Sequence, residues 1–377
     1  MSDTAKLLSE LIALPSVNPA FLPPGDARAG EQCVADFVAV TAARAGLDIE
    51  FQKALPGRVN LIAHLRPKMG ATKTILLAPH LDTVPAAHEN QFEPRKVGDR
   101  LFGRGACDTK GSVAAMLSAI CTLAKSKQRP RETEIIFAGL VDEESAQAGS
   151  RALAKSNLKA DLAIVGEPTS LQVVTAHKGN IWLQLETQGR SAHGSRPELG
   201  RNAVHAMARV VEALETEYAA TLRHRRAHPL LGHATVNVGT ICGGTQPNIV
   251  PASCVITVDR RTLPGESEPA VKREIEKFLV RKKLRVTFRS ARGAPCLPME
   301  TPASHPLVRQ FLRSVGQRKP MGVHYFCDAA VLAEGGIPSV VFGPGDIAQA
   351  HTADEWISLR SLERAKEMLV RFLRLQP

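Results

Sequence analysis

The chain has 377 residues, 44% hydrophobic and only 4% aromatic, which is ample for two domains with mainly aliphatic cores. No run of about 18 apolar residues marks a membrane span. The formal charge of +11 is dispersed, and its densest runs, Arg223-His-Arg-Arg226 and Arg281-Lys-Lys283, carry no interleaved aromatics, so they read as solvated surface rather than a nucleic-acid interface.

Leu7, Leu8, Leu11 and Ile12 have helical spacing after a cap at Thr4. Val34, Phe37 and Val38 form a second helical face, ended by Gly46. Three short apolar runs follow: Ile75-Leu-Leu-Ala78, Ile135-Ile-Phe-Ala138 and Leu162-Ala-Ile-Val165. Each is too short for a stable helix and almost continuously apolar, as strands buried on both faces are. Residues 112–124 read as a helix between the first two. This alternation predicts an α/β fold, a mostly parallel sheet with helices on both faces.

The texture changes near Ala176. Residues 181–187 alternate imperfectly, and a long helix is predicted over 202–222. Strands follow at 234–238 and 255–258, with Gly243-Gly244 turning between them. A charged helix over 268–280 precedes a strand at 284–288. The order β-α-β-β-α-β predicts a small two-layer α+β module. After about residue 290 the first texture resumes, with a buried strand at 339–342. A final helix carries Leu362, Ala365, Leu369 and Phe372 on one face. The expected domains are therefore 1–176 with 290–377, and an inserted 177–289.

Charged residues cluster where the buried strands end. His80-Leu-Asp82 follows the first, Asp142-Glu143-Glu144 the second, and Glu167 the third. Asp108 stands just ahead of a helix, and His351 follows the last strand. A single His-x-Asp or a pair of acids is ordinarily structural or solvated. Open parallel sheets, however, place their sites at the carboxyl ends of strands, so these segments could meet in one crevice. Carboxylates gathered there would need a compensating cation. Imidazole with carboxylate suits zinc, and also manganese or cobalt.

His80-Leu-Asp-Thr-Val-Pro85, Gly103-Arg-Gly-Ala-Cys-Asp-Thr-Lys-Gly111, Asp142-Glu-Glu144, Gly166-Glu-Pro-Thr169 and His351 together resemble the signature segments of the zinc aminoacylase/carboxypeptidase family. The resemblance runs over essentially the whole chain. It implies two divalent metal ions, Zn2+ first and Co2+ or Mn2+ as alternatives, bridged by Asp108. His80 and Glu167 would complete one site, Glu144 and His351 the other. Asp82 would accept the spare N–H of His80, and Glu143 would be the general base. Family members also carry a cis peptide after the residue matching Asp108.

Further implications concern the inserted module as a lid and dimerisation domain. His193, in Gly189-Arg-Ser-Ala-His193, matches a lid histidine that reaches the partner subunit's site, which implies a homodimer. Asn248 and Arg261 match substrate-contacting positions, Arg261 pairing with an α-carboxylate. The segments 166–172, 176–179 and 343–351 are most similar to acetylornithine deacetylases. The expected substrate is thus a small N-acyl-L-amino acid, N-acetyl-L-ornithine foremost. Tyr325-Phe-Cys-Asp328 departs from the Thr-Glu pair usual there, which keeps succinyl-diaminopimelate desuccinylase, aminoacylase and dipeptidase activities open. A non-catalytic binding homologue is the rival of another class, and the presence of every ligand position argues against it. Seven scattered cysteines without a Cys-x-x-Cys pair, and an N-terminus without a secretory pattern, place the chain in the cytoplasm, with neither nucleic acid nor membrane as partner.

Overall fold

The computed structural model describes residues 1–68, 70–290 and 296–377. Two compact units are present. One comprises Met1–Thr175, Glu300–Met321 and Cys327–Pro377, the other Ala176–Met299 and Gly322–Phe326. The second unit therefore extends past the expected limit at 289 and takes in a short later segment. Residues 291–295, which the sequence reading assigned to the first domain, lie outside the described residues.

The first unit is organised by a nine-stranded sheet. In spatial order its strands begin Asp48–Leu55, Arg58–Leu65, Thr133–Gly139, Lys73–Pro79, Leu162–Gly166, Ser339–Val341 and Val174–His177. Thr133–Gly139, Lys73–Pro79, Leu162–Gly166 and Ser339–Val341 pair in parallel. The flanks are antiparallel, because Asp48–Leu55 and Arg58–Leu65 form a hairpin. That hairpin was not foreseen, since its outer strand buries no residue and lacks a clean apolar pattern.

The parallel strands are buried along nearly their whole length, which requires cover on both faces. Lys110–Ala124 is the central helix and is apolar on almost every side, as a fully packed helix must be. It packs against Asp3–Ile12 and Leu359–Arg374. Ser2, not Thr4, caps the first helix, its Oγ accepting the Ala5 N–H, while Thr4 itself is buried. The helix Gln32–Arg44 ends as expected before Gly46, which takes a φ of 86°. Three of the few aromatics meet, the Phe311 ring centred 5.1 Å from Phe342, edge-on, and 4.8 Å from Phe372.

The second unit is a four-stranded antiparallel sheet in the order Thr235–Gly243, Ser253–Thr262, Gly179–Gln188, Thr287–Ser290. With Ala203–Ala213 and Glu268–Arg281 it has the β-α-β-β-α-β order read from the sequence. The first helix continues through a π-helical turn, Leu214–Tyr218, into Ala219–His224. Along Ser253–Thr262 burial alternates strictly, turning Cys254, Ile256, Val258, Arg260 and Thr262 inward, the first three of them into one core with Met207, Val210, Ile275 and Phe278. Arg260 is wholly buried, with Nη2 2.7 Å from Glu266, whereas Arg261 faces outward.

One small residue holds the loop after Thr133–Gly139 in place. Gly149 donates its N–H to Val141 O, and Asn60 brackets both by donating to Gly149 O and accepting from Val141 N–H. A Cβ on Gly149 would lie 2.5 Å from both Asn60 Oδ1 and Val141 O. Gly149→Ala should therefore destabilise the chain by about 1–3 kcal/mol. Urea unfolding should show a lower midpoint with an unchanged slope, and an unshifted midpoint would mean that the loop yields freely.

Candidate metal centre

Every acid or histidine predicted on the first unit arrives at one end of the parallel strands. His80 follows Lys73–Pro79 and bridges to Leu140 beside it. Asp142-Glu143-Glu144 follow Thr133–Gly139, and Glu167 follows Leu162–Gly166. His351 comes after Ser339–Val341, and Asp108 precedes Lys110–Ala124. Two groups able to hold a cation result: His80, Asp108 and Glu167, and Asp108, Glu144 and His351.

Asp108 belongs to both groups through different oxygens. Its Oδ1 lies 3.1 Å from His80 Nε2, and its Oδ2 lies 3.3 Å from His351 Nε2. Glu167 Oε1 stands 3.8 Å from His80 Nε2, and Glu144 Oε2 stands 3.2 Å from His351 Nε2. His80 and Glu167 are buried, while the His351 side chain is 53% exposed, so the second group opens to solvent. The Asp108–Thr109 peptide is cis, matching the family feature noted above.

His80 Nδ1 sits 3.0 Å from the backbone carbonyl of Asp82 and 3.5 Å from its carboxylate. The carbonyl, rather than the carboxylate expected from the sequence, is thus the nearer acceptor. A proton held on Nδ1 leaves the Nε2 lone pair facing Asp108 and Glu167. The Asp82 carboxylate is occupied elsewhere. It accepts the backbone N–H of Glu143 at 3.0 Å and of Glu144 at 3.1 Å, and Asn18 Nδ2 at 2.7 Å. The left-handed φ of Asp142, 71°, turns those two amides toward it.

Behind this loop lies a buried network that the sequence reading missed. Asn18 Nδ2 also donates to Asp142 Oδ1 at 3.1 Å, and Arg58 Nη1 donates to the same oxygen at 2.9 Å. Arg58 pairs through Nε and Nη2 with Glu31, whose carboxylate accepts the Asp142 N–H. Glu355 is likewise buried, against the segment that carries Asp108.

The electrostatics show why a cation fits. Desolvation and the Glu167 charge push Glu143 well above the usual carboxylate range. Desolvation, reinforced by Asp108 and Glu144, does the same to Glu167. Glu144 is raised by desolvation and by Asp108. Asp108, although buried, is held low by hydrogen bonds from His351 and His80. His351 is pushed up to about 10 by its bonds to Asp108 and Glu144. These groups resist sharing one negative space, and Glu144 Oε1 finds no hydrogen-bond partner among the described residues. A divalent cation would relieve both conditions, and nitrogen with carboxylate oxygen is a donor set that zinc, cobalt and manganese accept.

The remaining predicted residues lie on the second unit. His193 and Asn248 are close together: His193 bridges to Ile249, and the Gly194 N–H donates to Asn248 O at 2.7 Å. The His193 ring is exposed, with Nδ1 2.7 Å from Ser195 Oγ. Arg261 is near the far end of Ser253–Thr262, its Nε bonded to Asp259 at 3.0 Å.

A parallel-sheet fold with imidazoles and carboxylates gathered at its strand ends is that of a metal-dependent hydrolase. Residues 76–375 match the family model described as Peptidase family M20/M25/M40, and the chain belongs to this family. It is 31% identical to an acetylornithine deacetylase of Proteus mirabilis (strain HI4320), over 97% of this chain and 94% of that one. It is 32% identical to an acetylornithine deacetylase of Myxococcus xanthus, over 89% and 90%. The fold is similar to that of the M20 metallo-carboxypeptidase Sso-CP2 from Sulfolobus solfataricus, with a TM-score of 0.79, 21% identity and coverage of 100% and 99%. It is also similar to Bacillus subtilis YxeP, a dinuclear metal-binding M20 peptidase, with a TM-score of 0.71, 12% identity and coverage of 99% and 97%. The chain is accordingly an enzyme, a hydrolase acting on amide bonds.

Asn18 provides a test of the network behind the site. Asn18→Ala leaves Asp82 and Asp142 each short of a buried donor, at a cost of about 1–3 kcal/mol. The urea midpoint of metal-free protein should fall accordingly, and an unchanged midpoint would show that water replaces the amide without loss.

Proposed function

We propose that this enzyme removes the acyl group from N-acyl-L-amino acids with two divalent metal ions, and that N-acetyl-L-ornithine is its substrate. The observation that carries the reading is the division of Asp108, one oxygen toward His80 and the other toward His351. His80 and Glu167 would hold one ion with Asp108, and Glu144 and His351 the other. The mixed nitrogen and oxygen donors favour zinc, with cobalt or manganese as substitutes. When bound, the ions supply Lewis acidity toward the amide carbonyl and lower the pKa of water.

Glu143 is the proton carrier in this reading. Its carboxylate lies among Glu167, Glu144 and His80, whose charges act on it. Asp82 fixes the Glu143 backbone, so the side chain is aimed by a buried neighbour instead of a mobile loop. A carboxylate with a raised pKa can take a proton from water and return it to the leaving amine.

Arg261 would pair with the substrate α-carboxylate. Lys178 is near enough to feel the charge of Arg261, which sets a second cation beside it for an anion, while Asp259 holds the Arg261 Nε. His193 would stabilise the oxyanion and Asn248 would contact substrate. His193 and Asn248 sit beyond the start of Ser253–Thr262, and Arg261 near its end. At about 3.3 Å per residue, they are separated by roughly 25 Å. One copy of the second unit cannot bring both ends to one small substrate, which favours a homodimer in which His193 serves its partner. The exposed edge strand Thr235–Gly243, with Ile241 outward, offers a surface for such pairing. The cysteines form no disulfide among the described residues, which supports a cytoplasmic setting. No described helix is long and apolar enough to cross a membrane.

Amine release from N-acetyl-L-ornithine should be absent in chelator-treated protein and return with zinc or cobalt. Glu143→Gln should retain both ions yet turn over roughly 10²–10⁴-fold more slowly. Release from succinyl-diaminopimelate or dipeptides alone would overturn the substrate and leave the reaction class standing. A second experiment addresses the dimer. Glu143→Gln and His193→Ala, each inactive alone, should recover part of the activity when unfolded and refolded together, since some mixed dimers contain one intact site. Absence of recovery despite mixed dimers would mean that His193 serves its own subunit's site, and a fully active His193→Ala would place it outside the chemistry.

A further inference from the structure

One buried carboxylate stands behind the metal centre with no part in the chemistry above. Glu355 is 1% exposed, and its four hydrogen bonds all run to the segment that ends in Asp108. Oε1 accepts the backbone N–H of Cys107 at 2.8 Å and of Asp108 at 3.0 Å. Oε2 accepts the Gly105 N–H at 2.9 Å and Arg104 Nη1 at 2.7 Å. Its own backbone carbonyl accepts the Gly103 N–H at 3.0 Å. The same segment is tied to the turn before Glu355, because Arg104 Nη2 reaches Thr352 O at 3.3 Å. Thr352 directly follows His351.

A carboxylate has about four acceptor positions, and these four donors use them. Three are backbone amides of the loop that carries Asp108, so the Glu355 carboxylate sets where that loop, and the Asp108 side chain, can point. The Glu355 backbone meanwhile continues from His351. The shared ligand of both groups and the exposed ligand of the second are thus referred to one buried anion.

We infer that Glu355 is a positioning residue for both metal ions at once, acting through Asp108. The inference rests on the two-metal reading of the site. It has a consequence that a general structural role lacks. His351 faces only one group, so its loss should weaken one ion. Glu355 orients the residue common to both groups, so its loss should weaken both. An amide cannot take its place, since glutamine would direct an NH2 at a backbone N–H. Aspartate keeps the charge but is one methylene too short to reach all four donors.

The test is cobalt binding to the full chain after removal of metal, followed by visible absorption and by the metal content of dialysed protein. Wild type should bind two ions, and His351→Ala should lose one selectively. Glu355→Gln should bind both roughly 10–100-fold more weakly. Arg104→Gln removes the ion-pair partner but leaves the three amide bonds, and should stay within a few-fold of wild type. Circular dichroism and urea unfolding of the metal-free proteins establish which variants fold. If Glu355→Gln does not, Glu355→Asp should fold and show the same double weakening. The inference is overturned if the Glu355 variants bind both ions as wild type does or lose only one. It is overturned equally if Arg104→Gln weakens both as much, or if neither Glu355 variant folds. Wild type binding fewer than two ions would instead defeat the two-metal reading, and is seen before any substitution is made.

Discussion

The mutual repulsion of Asp108, Glu143, Glu144 and Glu167 is the constraint on which the rest of this structure turns. Each is drawn out of water, Asp108 raises the cost of ionising Glu144 and Glu167, Glu144 that of Glu143 and Glu167, and Glu167 that of Glu143. His80 and His351 offset only part of that cost, from opposite sides of Asp108. A chain under no functional demand would place apolar residues at these strand ends. Retaining the charges makes sense where cations occupy the space between them.

Holding such a cluster demands rigid support from behind, and two buried carboxylates supply it. Asp82 collects the amides of Glu143 and Glu144, and Glu355 collects those of Gly105, Cys107 and Asp108. In each case the anion binds backbone amides of the ligand loop together with one side chain, Asn18 at Asp82 and Arg104 at Glu355. Ligand loops therefore inherit the stiffness of the parallel sheet and of Lys110–Ala124, though they are not part of either. Asn18, Arg58 and Glu31 extend the support under Asp142. The second unit follows a different logic. Its strict alternation commits Arg260 to the core and Arg261 to the surface, so two adjacent arginines have unlike roles.

Much of this was legible beforehand because it is local. Continuous apolar runs announced Lys73–Pro79, Thr133–Gly139 and Leu162–Gly166, and the acids and histidine immediately after them marked the site. The α+β module declared itself through the order of its elements. The hairpin of Asp48–Leu55 and Arg58–Leu65 did not, since an exposed edge strand needs no apolar period. The first helix cap was misplaced by two residues because Ser2 and Thr4 offer the same hydroxyl, and only packing shows which is outside.

The sequence alone determined which charged side chains stand at the strand ends and in what order, because periodic burial and strand length are properties of short segments, while their grouping into two ligand sets came from the family resemblance. Only the tertiary structure decided which oxygen of Asp108 faces which histidine, and that a backbone carbonyl is nearest the N–H of His80. It alone revealed Asn18 beneath Asp82 and Glu355 beneath Asp108, pairs 64 and 247 residues apart. Contacts at that separation leave no pattern in a single sequence. They arise from how the sheet brings distant loops to one edge, and from the need of buried polar groups to find partners there.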